Sequence, residues 1–224
     1  MTDAHCHVTG GDPSVREFLI GRDFIGVHPW EAGELSSEDV RRKTEDLKSC
    51  LASSVSTPAE PLLGIGEIGL DRLKSREISP RMREVFEAQL KLAFEFNRPV
   101  VLHGAKCWGQ VVKTIQTFQT SQTSQTFLFH GFSRSDGLIP DIVALNGFIS
   151  VGPAVLNDHA VNYRELVKKI PIERLLVETD RTMENAADCP SVRDVAAAVA
   201  ELRGVSVAEL ERLTDENAER FRCR

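Results

Sequence analysis

His5 and His7, in the run DAHCH, are separated by a single residue. Alternate side chains of a β-strand point to one face, so two imidazoles at this spacing can share one metal ion. Four more ligand types stand at the ends of short apolar runs: Glu67 after LLGIG, His103 after PVVL, His130 after FLF, and Asp180 at the close of LLVETD. An unpaired carboxylate at the end of an apolar strand carries a large desolvation cost. A Glu67 that bridges two cations would meet that cost; a structural salt bridge is the plain alternative. One histidine beside an apolar run is usually a satisfied core residue, but the repetition of this placement favours ligation. Mixed imidazole and carboxylate donors suit Zn²⁺, Mn²⁺ or Mg²⁺, and the residue types do not choose among them. Cys6 points to the opposite face and is not counted as a ligand.

Two divalent ions sharing Glu67 would polarise a phosphoryl oxygen and lower the pKa of a bound water to about 7, supplying a nucleophile at neutral pH. Asp180 is expected to ligate metal and also to orient this water or take its proton. Asp180 and Glu67 are therefore the expected catalytic pair. His28, in GVHPW, is expected to touch substrate or to hydrogen-bond a metal ligand from behind. Lys106 and Arg134 follow strand ends and are expected to pair with substrate phosphates, a solvated loop charge being the alternative. Trp30 and Trp108 lie in loops after strands, where an indole either stacks on a base or caps the core, and the second reading is preferred. Asp71 is a candidate carboxylate partner for a ligand histidine, and His159 reads as a surface residue.

Residues so far apart in sequence can meet only if the fold gathers strand ends. Seven apolar runs of strand length recur, at Asp3 to Val8, Phe24 to His28, Leu62 to Glu67, Pro99 to His103, Phe127 to His130, Gly147 to Val151 and Leu175 to Thr179. Between them lie amphipathic stretches, clearest at Ser79 to Phe96 and Ser191 to Arg203. Strands alternating with helices predict a parallel sheet with helices outside. A TIM-type β/α barrel brings the C-terminal ends of all its strands to one mouth. His7 and Phe24 are too close for a helix, a strand and a second helix, so one helix is expected around Ser14 to Ile20. The expected architecture is an α/β barrel, distorted or incomplete, with about seven parallel strands. Ser79-Pro80 and the Ser206 to Glu209 spacing mark helix starts. The polar near-repeat at Thr117 to Thr126 reads as a surface helix end and loop.

At 224 residues, with 42% hydrophobic and 27% charged residues, one domain over 1–224 is expected. No apolar run approaches the roughly 20 residues that span a bilayer, and no basic-then-apolar leader opens the chain, so a cytoplasmic protein without membrane contact is expected. Five cysteines, an odd number without paired spacing, fit reduced thiols. A net charge of −6 argues against broad binding to duplex DNA. It leaves open a nucleic-acid substrate, because bound cations bring their own local positive charge.

The motifs DAHCH (3–7), GVHPW (26–30), GEIGLD (66–71), VVLHG (100–104), FHGFS (129–133) and LLVETD (175–180), in this order, resemble the TatD family of metal-dependent hydrolases from Asp3 to the C-terminus. The resemblance implies a deoxyribonuclease acting on DNA or another phosphoester. It further implies that His5, His7 and Asp180 hold one ion, that His103 and His130 hold the second, and that Glu67 bridges them. The short segment between DAHCH and GVHPW, Trp30 where many members carry a second histidine, and ETDR in place of ETDAP point to a compact bacterial subgroup. The main alternative is a related barrel acting on a small carbon substrate, such as a lactonase, cyclic amidase or deaminase. Many of those enzymes bridge their metals with a carboxylated lysine, whereas the bridging position here is Glu67 and Lys106 lies three residues past a histidine. A non-catalytic metal-binding barrel is disfavoured because all six ligands are present. No obligate protein partner is readable.

Overall fold

The computed structural model describes residues 1–54, 62–74, 76–118 and 124–222. The middle of the polar near-repeat at 117–126, and Cys223, lie outside the described residues. Among the described residues eight strands run in chain order: β1 Thr2–Cys6, β2 Arg16–Leu19, β3 Phe24–Ile25, β4 Gly64–Gly69, β5 Val100–His103, β6 Phe127–Phe129, β7 Gly147–Val151 and β8 Leu175–Val177. The helices are α1 Pro29–Ala32, α2 Ser37–Ser54, α3 Pro80–Glu95, α4 Trp108–Phe118, α5 Ile139–Ala144, α6 Val161–Lys169, α7 Val192–Arg203 and α8 Val207–Arg222. Among the described residues no helix is long and apolar enough to cross a membrane.

Every strand pair is parallel, in one sheet of β1 and β2 and a second that runs in order from β3 to β8. Two seams join the sheets without a continuous ladder. At one seam a single bridge pairs Ile20 with Phe24. At the other, the Asp180 N–H donates to the His5 carbonyl at 3.0 Å. The Asp3 carboxylate also accepts there from the Thr179 amide at 3.0 Å and its hydroxyl at 2.6 Å. The result is the expected distorted α/β barrel.

The strand count is corrected from about seven to eight. The stretch around Ser14 to Ile20, expected to be a helix, contains β2, which pairs with β1 in the register Thr2 to Arg16 and Cys6 to Leu19. The length argument assumed a helical crossover. Here a loop carrying Gly10, Gly11 and Pro13 makes the crossing instead, and those residues disfavour a helix. Pairing to β1 and burial of Phe18 then decide the state of a short segment whose own preference is weak.

Alternation along the strands separates two apolar layers. Val100, Leu102, Phe127, Phe129, Leu175 and Val177 pack outward against the helices. Val101, Leu128, Phe148 and Leu176 cluster with Phe24 and with Phe221 of α8. Two positions beyond Val101 and Leu128 are His103 and His130, which keep the same inward-facing parity; Asp180 lies past the end of β8, with φ +49°, and reaches the mouth from the loop. Ser79 and Pro80 open α3, the Ser79 hydroxyl accepting the Met82 amide at 3.0 Å, and Ser206 accepts the Glu209 amide at 3.1 Å before α8.

Candidate metal centre

Glu67 is the hub of the mouth. It reaches the interior through an irregularity in the β4 and β5 register between Ile65 and Ile68, and its side chain is 3% exposed. One oxygen, Oε2, stands 3.5 Å from Nε2 of His5 and 3.5 Å from Nε2 of His7. Oδ1 of Asp180 stands 3.5 Å and 3.7 Å from the same two nitrogens. The other oxygen, Oε1, lies 2.6 Å from Nδ1 of His103 and 2.5 Å from Nε2 of His130. All six expected ligands are thus brought together.

The two halves of this cluster differ in state. Donor atoms bound at about 2.1 Å around a tetrahedral cation stand about 3.4 Å apart, close to the 3.5–3.7 Å that separates the His5 and His7 nitrogens from Glu67 and Asp180; His5, His7 and Glu67 form one compact candidate cluster and His5, His130 and Asp180 another. Neither ring nitrogen of the buried His5 makes a hydrogen bond. Such an orphan is costly unless something fills the cradle, and the donor set fits a divalent cation. On the other side the distances from Glu67 to His103 and His130 are those of charge-assisted hydrogen bonds, so shared protons hold that position.

The electrostatics follow from this packing. Burial pushes the Glu67 carboxyl up, but the charge on His130 and hydrogen bonds from His103, His130 and His28 outweigh it and hold it well below its usual range. Burial pulls His130 down, and Glu67 together with Glu178 raises it well above an ordinary histidine. His103 is likewise raised, because Asp71 and Glu67 overcome its burial. Asp180 is held low against its burial by His5 and His130.

Asp71 is the carboxylate behind His103, with Oδ2 2.8 Å from Nε2 of the ring. With Nε2–H donated to Asp71, Nδ1 is the nitrogen that faces Glu67 and would have to give up its shared proton to bind a cation. His28 approaches Oε1 of Glu67 at 3.5 Å through Nε2, while its Nδ1 accepts the Trp30 amide at 3.1 Å. A neutral ring whose Nδ1 accepts carries its proton on Nε2, so His28 faces Glu67 as a hydrogen-bond donor, while its ring also groups with Glu67 and His103 as a possible cation cluster. Lys106 and Arg134 are exposed on the rim. They line a cavity of about 800 Å³ together with His103, His130 and Asp180. Trp108 is buried against Phe129 and Phe132 and caps the core, as preferred from sequence. Cys6 is turned away, its thiol meeting the Phe18 carbonyl, and His159 is exposed.

Sequence reasoning missed Glu178. It is buried, its Oε1 lies 3.7 Å from Nδ1 of His130, and it accepts from the Gly131 amide and the Ser150 hydroxyl. Its position two residues past Leu176, on the inward parity, was the available signal. Arg181, the departure in ETDR, hydrogen-bonds the carbonyls of Ala186 at 2.8 Å and Cys189 at 3.2 Å and so braces its own loop.

A β/α barrel whose strand ends converge on histidines around a buried glutamate defines a metal-dependent hydrolase. The chain belongs to the family described as TatD related DNase, whose model matches residues 21–222. It is 30% identical over 204 residues to the uncharacterised metal-dependent hydrolase YabD of Bacillus subtilis, covering 88% of this chain and 75% of that one. It is 28% identical over 207 residues to the 3′-5′ ssDNA/RNA exonuclease TatD of Pantoea vagans, covering 86% and 74%. In fold it is similar to the crystal structure of the TatD homolog YjjV from Escherichia coli, with a TM-score of 0.73, 22% identity, and coverage of 98% and 96%.

Proposed function

We propose that the chain hydrolyses phosphodiester bonds in DNA with two divalent cations, Zn²⁺, Mn²⁺ or Mg²⁺. In this reading His5, His7 and Asp180 hold one cation, His103 and His130 the other, and Glu67 bridges them. When bound, such a pair polarises a phosphoryl oxygen and makes a water more acidic at neutral pH. The observation that carries the reading is the position of Glu67, with one oxygen facing His5 and His7 and the other facing His103 and His130.

The side chains divide the remaining work. Asp180 is half exposed and ionised, so it orients the attacking water and accepts its proton. His28 donates Nε2–H to a phosphoryl oxygen, its ring fixed by the Trp30 amide. Lys106 and Arg134, on the rim, pair with phosphates flanking the scissile one. The nuclease relative supports the choice of a nucleic acid, and the carboxylate at the bridging position supports phosphoester over carbon-substrate chemistry.

The test is hydrolysis of a generic phosphodiester and of 3′-labelled single-stranded DNA by protein reconstituted with Mg²⁺, Mn²⁺ or Zn²⁺. Metal-dependent cleavage that His103→Ala/His130→Ala reduces by at least about 10²-fold is expected, since cation stabilisation of transition-state charge amounts to several kcal/mol. Folded, metal-loaded protein that cuts neither substrate would reject the reading.

A further inference from the structure

Gln89 breaks the apolar stripe of α3. It follows Met82, Val85 and Phe86 at helical spacing and precedes Ala93, so its side chain falls on the buried face of the helix, where it is 2% exposed. A long polar side chain gives up water and rotamer freedom in such a place. Its partners lie 62 residues away in the chain: Oε1 accepts the Val27 amide at 2.6 Å, and Nε2 donates to the Val27 carbonyl at 3.2 Å.

Val27 needs such a partner. β3 pairs with β4 through Phe24 and Ile25 and then ends, and among the described residues no strand pairs with the buried Val27. An extended residue turns its N–H and its C=O to the same side, and when buried both must be satisfied. The carboxamide of Gln89 supplies one acceptor and one donor, as a neighbouring strand would. Gly26 leaves room for it, since a Cβ there would lie 3.2 Å from Oε1 of Gln89 and 2.6 Å from Cγ2 of Ile68.

This clamp holds the peptide that leads into His28. The proline that follows keeps His28 extended, at φ −62° and ψ 144°. Pro29 is itself buried at the start of α1, so His28 sits between two fixed points. Its Nδ1 accepts the Trp30 amide at 3.1 Å, and its Nε2 stands 3.5 Å from Glu67.

We infer that Gln89 is a positioning residue, which stands in for a strand at Val27 and so sets the place of the His28 ring. The inference rests on the role of His28 proposed above, but its test does not need turnover.

Amide hydrogen exchange and the His28 ring signals, assigned by their loss in His28→Ala, read the clamp by NMR in the folded protein with and without Zn²⁺. Gln89→Met keeps the length of the side chain and removes both bonds. It should speed exchange of the Val27 amide about tenfold, as loss of one ordinary hydrogen bond implies, speed that of Trp30, and shift the His28 ring signals. Gln89→Glu, which keeps the acceptor but when ionised lacks the donor, should give a smaller change in the same direction. Val199→Ala, a buried truncation on α7, which packs against α6, α8 and β8, should leave His28 in place. Lost protection at Val27 with Trp30 and His28 unmoved would make Gln89 merely structural and overturn the inference, as would no change at all three. In a protein that cleaves phosphodiesters, Gln89→Met should lower kcat about 10- to 100-fold, but less than about twofold in the His28→Ala background. Equal losses in the two backgrounds would also overturn it. Without cleavage the NMR signals still decide the clamp, and only the hydrolytic reading falls.

Discussion

Oδ2 of Asp71 lies 2.8 Å from Nε2 of His103, and the far side of the same ring lies 2.6 Å from Glu67. The carboxylate keeps the proton on Nε2 and so leaves Nδ1 as the nitrogen that would lose its shared proton to a cation. Its other oxygen caps the loop by accepting the Leu73 and Lys74 amides at 2.7 Å and 2.8 Å.

Asp71→Asn therefore separates the two roles. The amide oxygen can still cap the loop, but an NH₂ facing Nε2 reverses the tautomer and places a proton on Nδ1. Cation affinity should fall about 10- to 100-fold without a comparable loss of stability, as measured by calorimetric metal titration. An unchanged affinity would show that Asp71 does not set the ring.

Binding of divalent cation should occur in two unequal steps. The cradle of His5, His7, Glu67 and Asp180 already has ligand spacing, whereas the position between His103 and His130 is held by shared protons. Both His103 and His130 are raised by Glu67, His130 well above its usual value. A cation must displace those protons, so the weaker step should release protons and strengthen as pH rises, until the raised histidine values are passed. Calorimetry in buffers of different ionisation enthalpy reads the proton count, and His103→Ala/His130→Ala should leave one step.

Metal should also stabilise the fold. A cation that binds only the native state, at 100 times its Kd, adds about 2.7 kcal/mol. For a chain of this size that raises Tm by about 5–10 °C in a calorimetric scan. Chelator should reverse the gain, and a Tm indifferent to metal would contradict cation binding at this centre.

Gly69 has φ +147°, and a Cβ there would lie 2.0 Å from the His103 carbonyl oxygen. Both the conformation and the space exclude a larger residue. Gly69→Ala should cost about 1–3 kcal/mol in denaturant titration. It should also weaken the weaker metal step, because any relief must shift β5 and with it His103.

The convergence of these candidate donors was legible in the sequence because metal-binding side chains are confined to a few residue types and strand periodicity is local. His5 and His7 share a face at any fold, and a histidine after VVL or FLF falls where a strand ends. Asp71 was legible as a partner for the same reason. Residues whose role is only to be near something else were not. Glu178 reads as one more acidic residue in LLVETD until the inward parity of β8 sets it beside His130. β2 was misread because a four-residue strand has no periodicity of its own, and its pairing partner lies across a loop.

The sequence by itself determined that parallel strands would deliver six donor atoms to one mouth, since alternation and apolar runs are properties of neighbouring residues. Only the tertiary structure decided how those donors are arranged. The register irregularity in β4 turns Glu67 inward so that its two oxygens face opposite pairs of histidines. Segments from three distant parts of the chain, α1 and the loops after β4 and β8, set Trp30, Leu73 and Met183 around one cavity. Distances between side chains on different strands depend on register, seam and loop path, and these are set by packing across the whole barrel.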